Sequence, residues 1–283
     1  MFDTTPSLDC AGRLLKLDRP RICGVLNLTG DSFSGDGLGD DVRAAVGRGL
    51  EMVEQGADLL DVGAESTRPG AEPVDAQTEI SRVVPVIEML ARESGVPISI
   101  DSSKPEVMRA AVAAGAGMIN DIYALRREGA LDAAAELKVP VCLMHMQGEP
   151  RTMQDNPVYD DVVSDVKRFL EERVAFAIDE GVREELICVD PGIGFGKTVA
   201  QNFELLRRLD ELAALGRPVL VGVSRKSSLG RIMGDAAART GTIAASVGAA
   251  VAAYGRGATI LRVHDVREHV EALTAARAVA VGV

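Results

Sequence analysis

At 283 residues, with 47% hydrophobic and 26% charged side chains, the chain has ample material for a sizeable core and lies outside the disordered regime. Its net charge of −11 excludes a non-specific nucleic-acid binder, which needs a basic face, but leaves room for a small anionic substrate held by a local cluster of Arg and Lys. Six Phe, three Tyr and no Trp leave the interior to Val, Ile, Leu and Ala, as in a buried parallel sheet covered by helices.

In chain order, the segment Met1–Arg21 is polar and lacks the apolar stretch of a secretory leader, and Met1–Leu17 predicts a short hairpin or cap. Eight apolar runs follow, at Arg21–Leu26, Asp58–Val62, Pro97–Ile100, Gly117–Ile119, Val139–Met144, Leu186–Val189, Pro218–Val223 and Ala258–Val263. Nearly all are apolar on both faces, which predicts buried parallel strands. Helical periods separate them: Val42, Val46, Leu50 and Val53 share one face, and so do Val162, Val166, Phe169, Val174 and Ile178. Ser103-Lys104-Pro105-Glu106 reads as a helix start with Pro at the first helical position. Pro85, inside a helix over Glu79–Arg92, predicts a kink or a split.

Length alone fits two small domains or one barrel. Strict strand–helix alternation through eight units, with no linker between them, predicts an α/β fold, a single (β/α)8 TIM barrel over residues 1–283. The alternative is a doubly wound open sheet, whose first βα turn would carry G-x-G-x-x-G; Gly24–Gly30 does not spell it. No apolar run reaches membrane-spanning length. Cys23, Cys142 and Cys188 sit inside strand-like runs without metal or disulfide spacing, so the four cysteines read as buried thiols of a reducing cytoplasm.

Each apolar run ends in a polar residue: Asn27, Asp61, Asp101, Asn120, His145, Asp190, Arg225-Lys226 and Arg262/His264. In such a barrel these ends meet on one face, where the chemistry sits. The glycine-rich segment Asp190–Thr198 misses a P-loop because Pro191 stands at its first glycine, so nucleoside triphosphate binding is not expected. Its glycines still predict positive φ or a close backbone approach. Ser66, Thr67 and Arg68 supply two hydroxyls and a bidentate guanidinium for a phosphate. Arg262 and His264, two apart on a strand, point the same way and can grip one anion. Two basic clusters at one barrel mouth fit a di- or polyphosphate.

Asp101, Asn120, Asp190 and Lys226 together match a flat heterocycle with N–H donors and a carbonyl; alternatively each polar end caps the helix that follows it. His145 is expected in the packing of the core. There is no H-E-x-x-H and no His/Cys pair at zinc spacing. A hard cation such as Mg2+ can be held by one amide oxygen, for which Asn27 is placed, plus substrate phosphates. No base beside Ser227 or Ser32 marks a nucleophilic triad.

The chain resembles the dihydropteroate synthase family essentially end to end. The motifs that carry the resemblance are Gly24–Ser34, Asp61–Gly70, Ile100–Pro105, Ile119–Ile122, Leu143–Gly148, Asp190–Lys197, Gly222–Ser227 and Arg262–Asp265. The resemblance implies a (β/α)8 transferase of folate synthesis, a homodimer and sulfonamide target, joining p-aminobenzoate to 6-hydroxymethyl-7,8-dihydropterin diphosphate. Asp101, Asn120, Asp190 and Lys226 would hold the pterin, and Asn27 would meet Mg2+. Thr67, Arg68, Arg262 and His264 would hold the pyrophosphate, while Phe33, Phe195 and Ser227 would help form the aminobenzoate site. The implied mechanism is dissociative, with Asp101, Lys226, Arg262 and His264 stabilising the separating charges. One departure stands out: Gly30 occupies the place of a family Pro, widening the open first loop by roughly 0.4–1 kcal/mol of backbone entropy. Two other readings stay open, a pterin-binding protein that has lost catalysis and a methyltetrahydrofolate-type methyltransferase.

Overall fold

The structure, a computed structural model, describes residues 6–29, 41–66 and 72–282. Strands β1 (Ser7–Cys10) and β2 (Arg13–Lys16) form the expected antiparallel hairpin. Its two-residue loop has positive φ at both Ala11 and Gly12, the combination that matches strand twist in a tight hairpin.

Eight parallel strands follow: β3 (Arg21–Asn27), β4 (Leu59–Gly63), β5 (Ile98–Asp101), β6 (Met118–Asp121), β7 (Val141–Met144), β8 (Ile187–Asp190), β9 (Leu220–Val221) and β10 (Ile260–Val263). Neighbours in sequence pair from β3 through β8, β10 returns beside β3, and β9 lies beside β10. A parallel bridge between Val189 and Val219 links β8 to the approach to β9, so the sheet forms a nearly closed TIM barrel. Helices α1 (Val42–Glu54), α2 (Ala76–Glu93), α3 (Pro105–Ala113), α4 (Ala130–Leu137), α5 (Val162–Asp179), α6 (Val199–Arg207), α7 (Leu209–Ala213), α8 (Ser227–Ile232), α9 (Ile243–Tyr254) and α10 (Val266–Val281) fall between and after the strands.

Local chemistry starts these helices. Asp41, Asp75 and Asp161 accept from the N–H three residues on, at 3.0, 2.9 and 2.7 Å, and Thr198 and Gln201 form a reciprocal capping box. Pro105 opens α3 as expected. Pro85 does not split its helix: α2 runs unbroken, with Val83, Val86, Ile87 and Leu90 buried on its inner face. Burial of that face outweighs the ~3 kcal/mol a proline costs in a helix interior.

Strand side chains alternate between two environments. Leu60, Val62, Ile98, Ile100, Ile119, Val141, Leu143 and Val189 pack outward against the helices. Cys23, Leu59, Met118, Cys142, Cys188, Leu220 and Ile260 point inward and form a floor with Leu8, Cys10 and Leu15 of the hairpin. The hairpin docks closely because residue 117 is glycine; a Cβ there would sit 2.5 Å from the Cys10 carbonyl oxygen. Two residues further along, on the same inward face, stand Asp61, Asn120, Asp190 and Arg262, with Asp101 two beyond the buried Ser99. The polar layer therefore rests directly on the apolar floor.

Candidate active site

A cavity of about 800 Å³ opens above that layer. Asn27, Asp101, Phe195, Lys226, Ser227, Arg262 and His264 line it, all expected from the sequence. Arg225, Arg231 and Arg239 line it as well, so a chain of net charge −11 concentrates cations at this mouth.

Arg262 organises the centre. Its Nε donates to Asp61 Oδ2 at 2.6 Å and its terminal nitrogen to Asp101 Oδ2 at 2.7 Å. Asn120 Nδ2 donates to the same Asp61 oxygen at 3.1 Å. Burial weighs against the Arg262 charge, yet Asp61 and Asp101 together hold its pKa above the usual value. The other Asp61 oxygen is buried without a partner among the described residues, an acceptor left for a donor to fill. Burial also pushes the Asp101 carboxyl up to about 7, with Arg262 opposing the rise. Burial raises Asp190 too, against the Gly192 N–H and the charges of Lys226 and Lys197.

The helix-cap alternative for these groups fails. Asp101 binds Arg262, Asn120 binds Asp61, and Asp190 Oδ1 accepts from Gly192 N at 2.6 Å within a turn. The residue before α3 is Lys104, without a side-chain cap. The neighbouring Asp121 likewise serves local backbone, accepting from Tyr123 and Leu125.

On the far wall, Lys226 Nζ lies 4.4 Å from the centre of the Phe195 ring, a cation–π contact. Arg225, with φ of +56°, turns its guanidinium to Asp265 at 2.6 and 3.0 Å. His264 approaches Ser224 Oγ through Nδ1 at 3.1 Å. The glycine-rich loop does require positive φ, at Gly192, Gly194 and Gly196. The surface it approaches so closely is the chain's own: a Cβ at Gly192 would overlap the His145 carbonyl, and one at Gly196 would lie 2.5 Å from that of Gln147. His145 is packed as expected, edge-on to Phe169 at 4.9 Å.

Phe33, Thr67 and Arg68, and with them Gly30, lie outside the described residues. Ser66 reaches the cavity rim. Sequence reasoning missed the support beside it: Lys104 bridges Glu65, on the cavity wall, and Glu79, fully buried in α2 at 2.7 Å. The signal available was a glutamate, Glu79, on the inner face of an amphipathic helix.

The sequence profile of the pterin-binding enzymes matches residues 23–264. The dihydropteroate synthase of Escherichia coli K12 is 47% identical over 264 residues, covering 93% of this chain and 92% of its own. The chain belongs to the dihydropteroate synthase family. A solved structure of the Xanthomonas albilineans member with 4-aminobenzoic acid superposes at a TM-score of 0.90 and 54% identity, covering 98% of this chain and 99% of the other. The structure of the same bacterium's enzyme with 7,8-dihydropteroate gives 0.87 and 51%, with the same coverage. Family membership thus agrees with the fold, with the cationic mouth and with the polar layer beneath it.

Proposed function

We infer that the chain is a dihydropteroate synthase, condensing 6-hydroxymethyl-7,8-dihydropterin diphosphate with p-aminobenzoate to give 7,8-dihydropteroate and pyrophosphate. The observation that carries this reading is the layer of Asp101, Asn120, Asp190 and Arg262 on the barrel floor, faced by Lys226, in a chain similar over nearly its whole length to proteins of that name. The carboxylates and the amide match a ring with several N–H groups, and the cations at the mouth match a diphosphate.

In the proposed reaction the bond from the pterin methylene carbon to the diphosphate oxygen breaks, and its electron pair leaves with pyrophosphate. The arylamine nitrogen then bonds to that carbon and releases its proton to solvent. Asp101, Asn120 and Asp190 hold the pterin with Lys226, and the two carboxylates favour the positive charge that develops on the ring. Arg262 and His264, with Thr67 and Arg68, take the charge of the departing group. Phe195 and Ser227, with Phe33, flank the aminobenzoate. No side chain is modified covalently.

Among the described residues no group of three His, Cys, Asp or Glu can hold a metal. The donor set still suits Mg2+, which accepts one or two protein oxygens plus substrate phosphates; Asn27, on the cavity wall, would hold it. When bound, the ion would neutralise diphosphate charge. A cytoplasmic homodimer belongs to the same proposal, and sedimentation would test the dimer; among the described residues no helix is long and apolar enough to cross a membrane.

The deciding experiment is pyrophosphate release from the pterin diphosphate and Mg2+, with and without p-aminobenzoate. Release that depends on p-aminobenzoate and yields dihydropteroate supports the synthase. Pterin binding without dihydropteroate would instead fit a pterin-binding protein that has lost catalysis.

A further inference from the structure

Lys197, at the end of the glycine-rich loop, has no part in the reaction above, yet it is only 2% exposed. Its Nζ has three partners at 2.9 Å: His145 Nδ1 beyond β7, and the carbonyl oxygens of Gly192 and Phe195 in its own loop. The His145 carbonyl is more distant, at 3.5 Å.

An ammonium has three protons and no lone pair, so these three bonds saturate it and require Nδ1 to be the unprotonated ring nitrogen. A neutral amine has two protons and one lone pair. It can keep both carbonyls and accept from a protonated Nδ1. All three bonds survive in either state provided that the imidazole stays neutral. Burial, then the charges of Lys197 and Arg126, press the His145 pKa down to about 2. Burial pulls Lys197 down to about 7, with Asp190 opposing and Lys226 assisting.

The groups facing the pair are Asp190 at the end of β8, Lys226 after β9, Arg126 after β6, and Tyr159, whose ring centre lies 6.0 Å from that of His145. Burial raises the Tyr159 pKa, so its hydroxyl stays neutral. Asp190 is thus the one anion facing the two from these elements.

The loop tied by Lys197 carries the wall on which Lys226 rests. Phe195 lies under the Lys226 ammonium, and a Cβ at Gly194 would lie 3.2 Å from Lys226 Cδ. We propose that Lys197 and His145 form a proton-sharing pair that positions this Phe195–Lys226 wall in both of its protonation states, the imidazole proton sitting on Nε2 beside the ammonium and on Nδ1 beside the amine. On deprotonation one proton passes from Nζ to Nδ1 and the Nε2 proton leaves to solvent, a net loss of one proton. Lys197 is a positioning residue here, and its link to aminobenzoate binding rests on the synthase reading.

The first test needs no activity. The chain has three histidines, so nitrogen NMR of the intact protein labelled at histidine follows each ring, with His145→Gln assigning one. Between about pH 5 and about pH 10, the His145 ring is expected to exchange one neutral tautomer for the other at a single midpoint. A ring that becomes imidazolium in this range, or keeps one tautomer throughout, overturns the pair. In the kinetic test, Lys197→Met removes all three Nζ bonds that tie the loop and is expected to raise the aminobenzoate KM about tenfold, with kcat changing less. The wild-type KM should stay level across the Lys197 titration. A KM within about twofold of wild type in a folded Lys197→Met protein overturns the positioning role. If that variant does not fold, the wild-type tautomer titration decides. If the wild-type protein makes no dihydropteroate, the synthase reading fails and the NMR result still stands.

Discussion

Replacing Asp61 by Ala tests whether the centre of the site is held by this carboxylate or by Asp101 alone. The substitution removes the acceptor of Arg262 Nε, at 2.6 Å, and of Asn120 Nδ2, at 3.1 Å. A hydrogen bond to a charged group contributes about 1.5–3 kcal/mol, and both of these end on the same carboxylate. Two effects offset the loss: the orphaned Asp61 oxygen disappears, and Asp101 still pairs with Arg262 at 2.7 Å. The net loss is about 2 kcal/mol, which lowers the melting temperature by roughly 3–4 °C in a chain of this size. Activity should fall further than stability, because Arg262 and Asn120 both lose their orientation. A displacement of the order of 1 Å in a positioned group costs about 100-fold in kcat/KM. Thermal unfolding by circular dichroism and steady-state dihydropteroate formation measure the two effects. A melting temperature within about 1 °C of wild type, together with kcat/KM within about threefold, would refute the reasoning.

Gly192→Ala should cost at least about 3 kcal/mol, since it combines positive φ with overlap on a carbonyl that no side-chain rotation can relieve. Gly216→Ala, equally left-handed but facing open space, should cost only about 1–2 kcal/mol; urea titration compares the two, and equal losses would discount the overlap. Lys104→Met strands the buried Glu79 without its cation and should destabilise by about 3–5 kcal/mol at pH 7. Burial already raises the Glu79 pKa above its unfolded value, so in the variant stability should be greatest at acid pH and fall as pH rises through the folded pKa; no change between about pH 5 and 8 would contradict this. For catalysis the Asp101 carboxyl, pushed up to about 7, must lose its proton to serve the pterin, so kcat/KM should decline as pH falls through that value. The same shift favours the protonated form in the fold, so its contribution to stability is full below the unfolded pKa and is lost as pH rises through about 7. A flat kcat/KM profile between about pH 5 and 8 would remove Asp101 from the required ionisations.

The barrel was legible because each buried strand announces itself twice, by apolar residues on both faces and by a polar residue where it ends. Boundaries moved by a residue or two, most at the seventh run, where Pro218–Val223 contracts to Leu220–Val221. The inward face of the site was legible for the same reason, since period two places Arg262 above Ile260. What stands across the barrel was not. Arg262 meets Asp61 and Asp101, 201 and 161 residues away, so a residue read as an anion grip is already held by two carboxylates. The role of Lys197 was hidden likewise: the loop spells an imperfect P-loop, and only its folding back onto His145 shows what the lysine binds.

The hairpin under the barrel has a consequence for thiol chemistry. Cys10 lies on the hairpin itself, and Cys23, Cys142 and Cys188 lie in the floor it covers. Burial pushes the Cys10 pKa up to about 12 and that of Cys23 well above its ordinary value, so neither forms the reactive thiolate at neutral pH. An alkylating reagent can mark them only when the hairpin lifts or the barrel opens. Mass-spectrometric labelling of Cys10 and the three floor cysteines would therefore time the detachment of the stopper and the uncovering of the floor behind it.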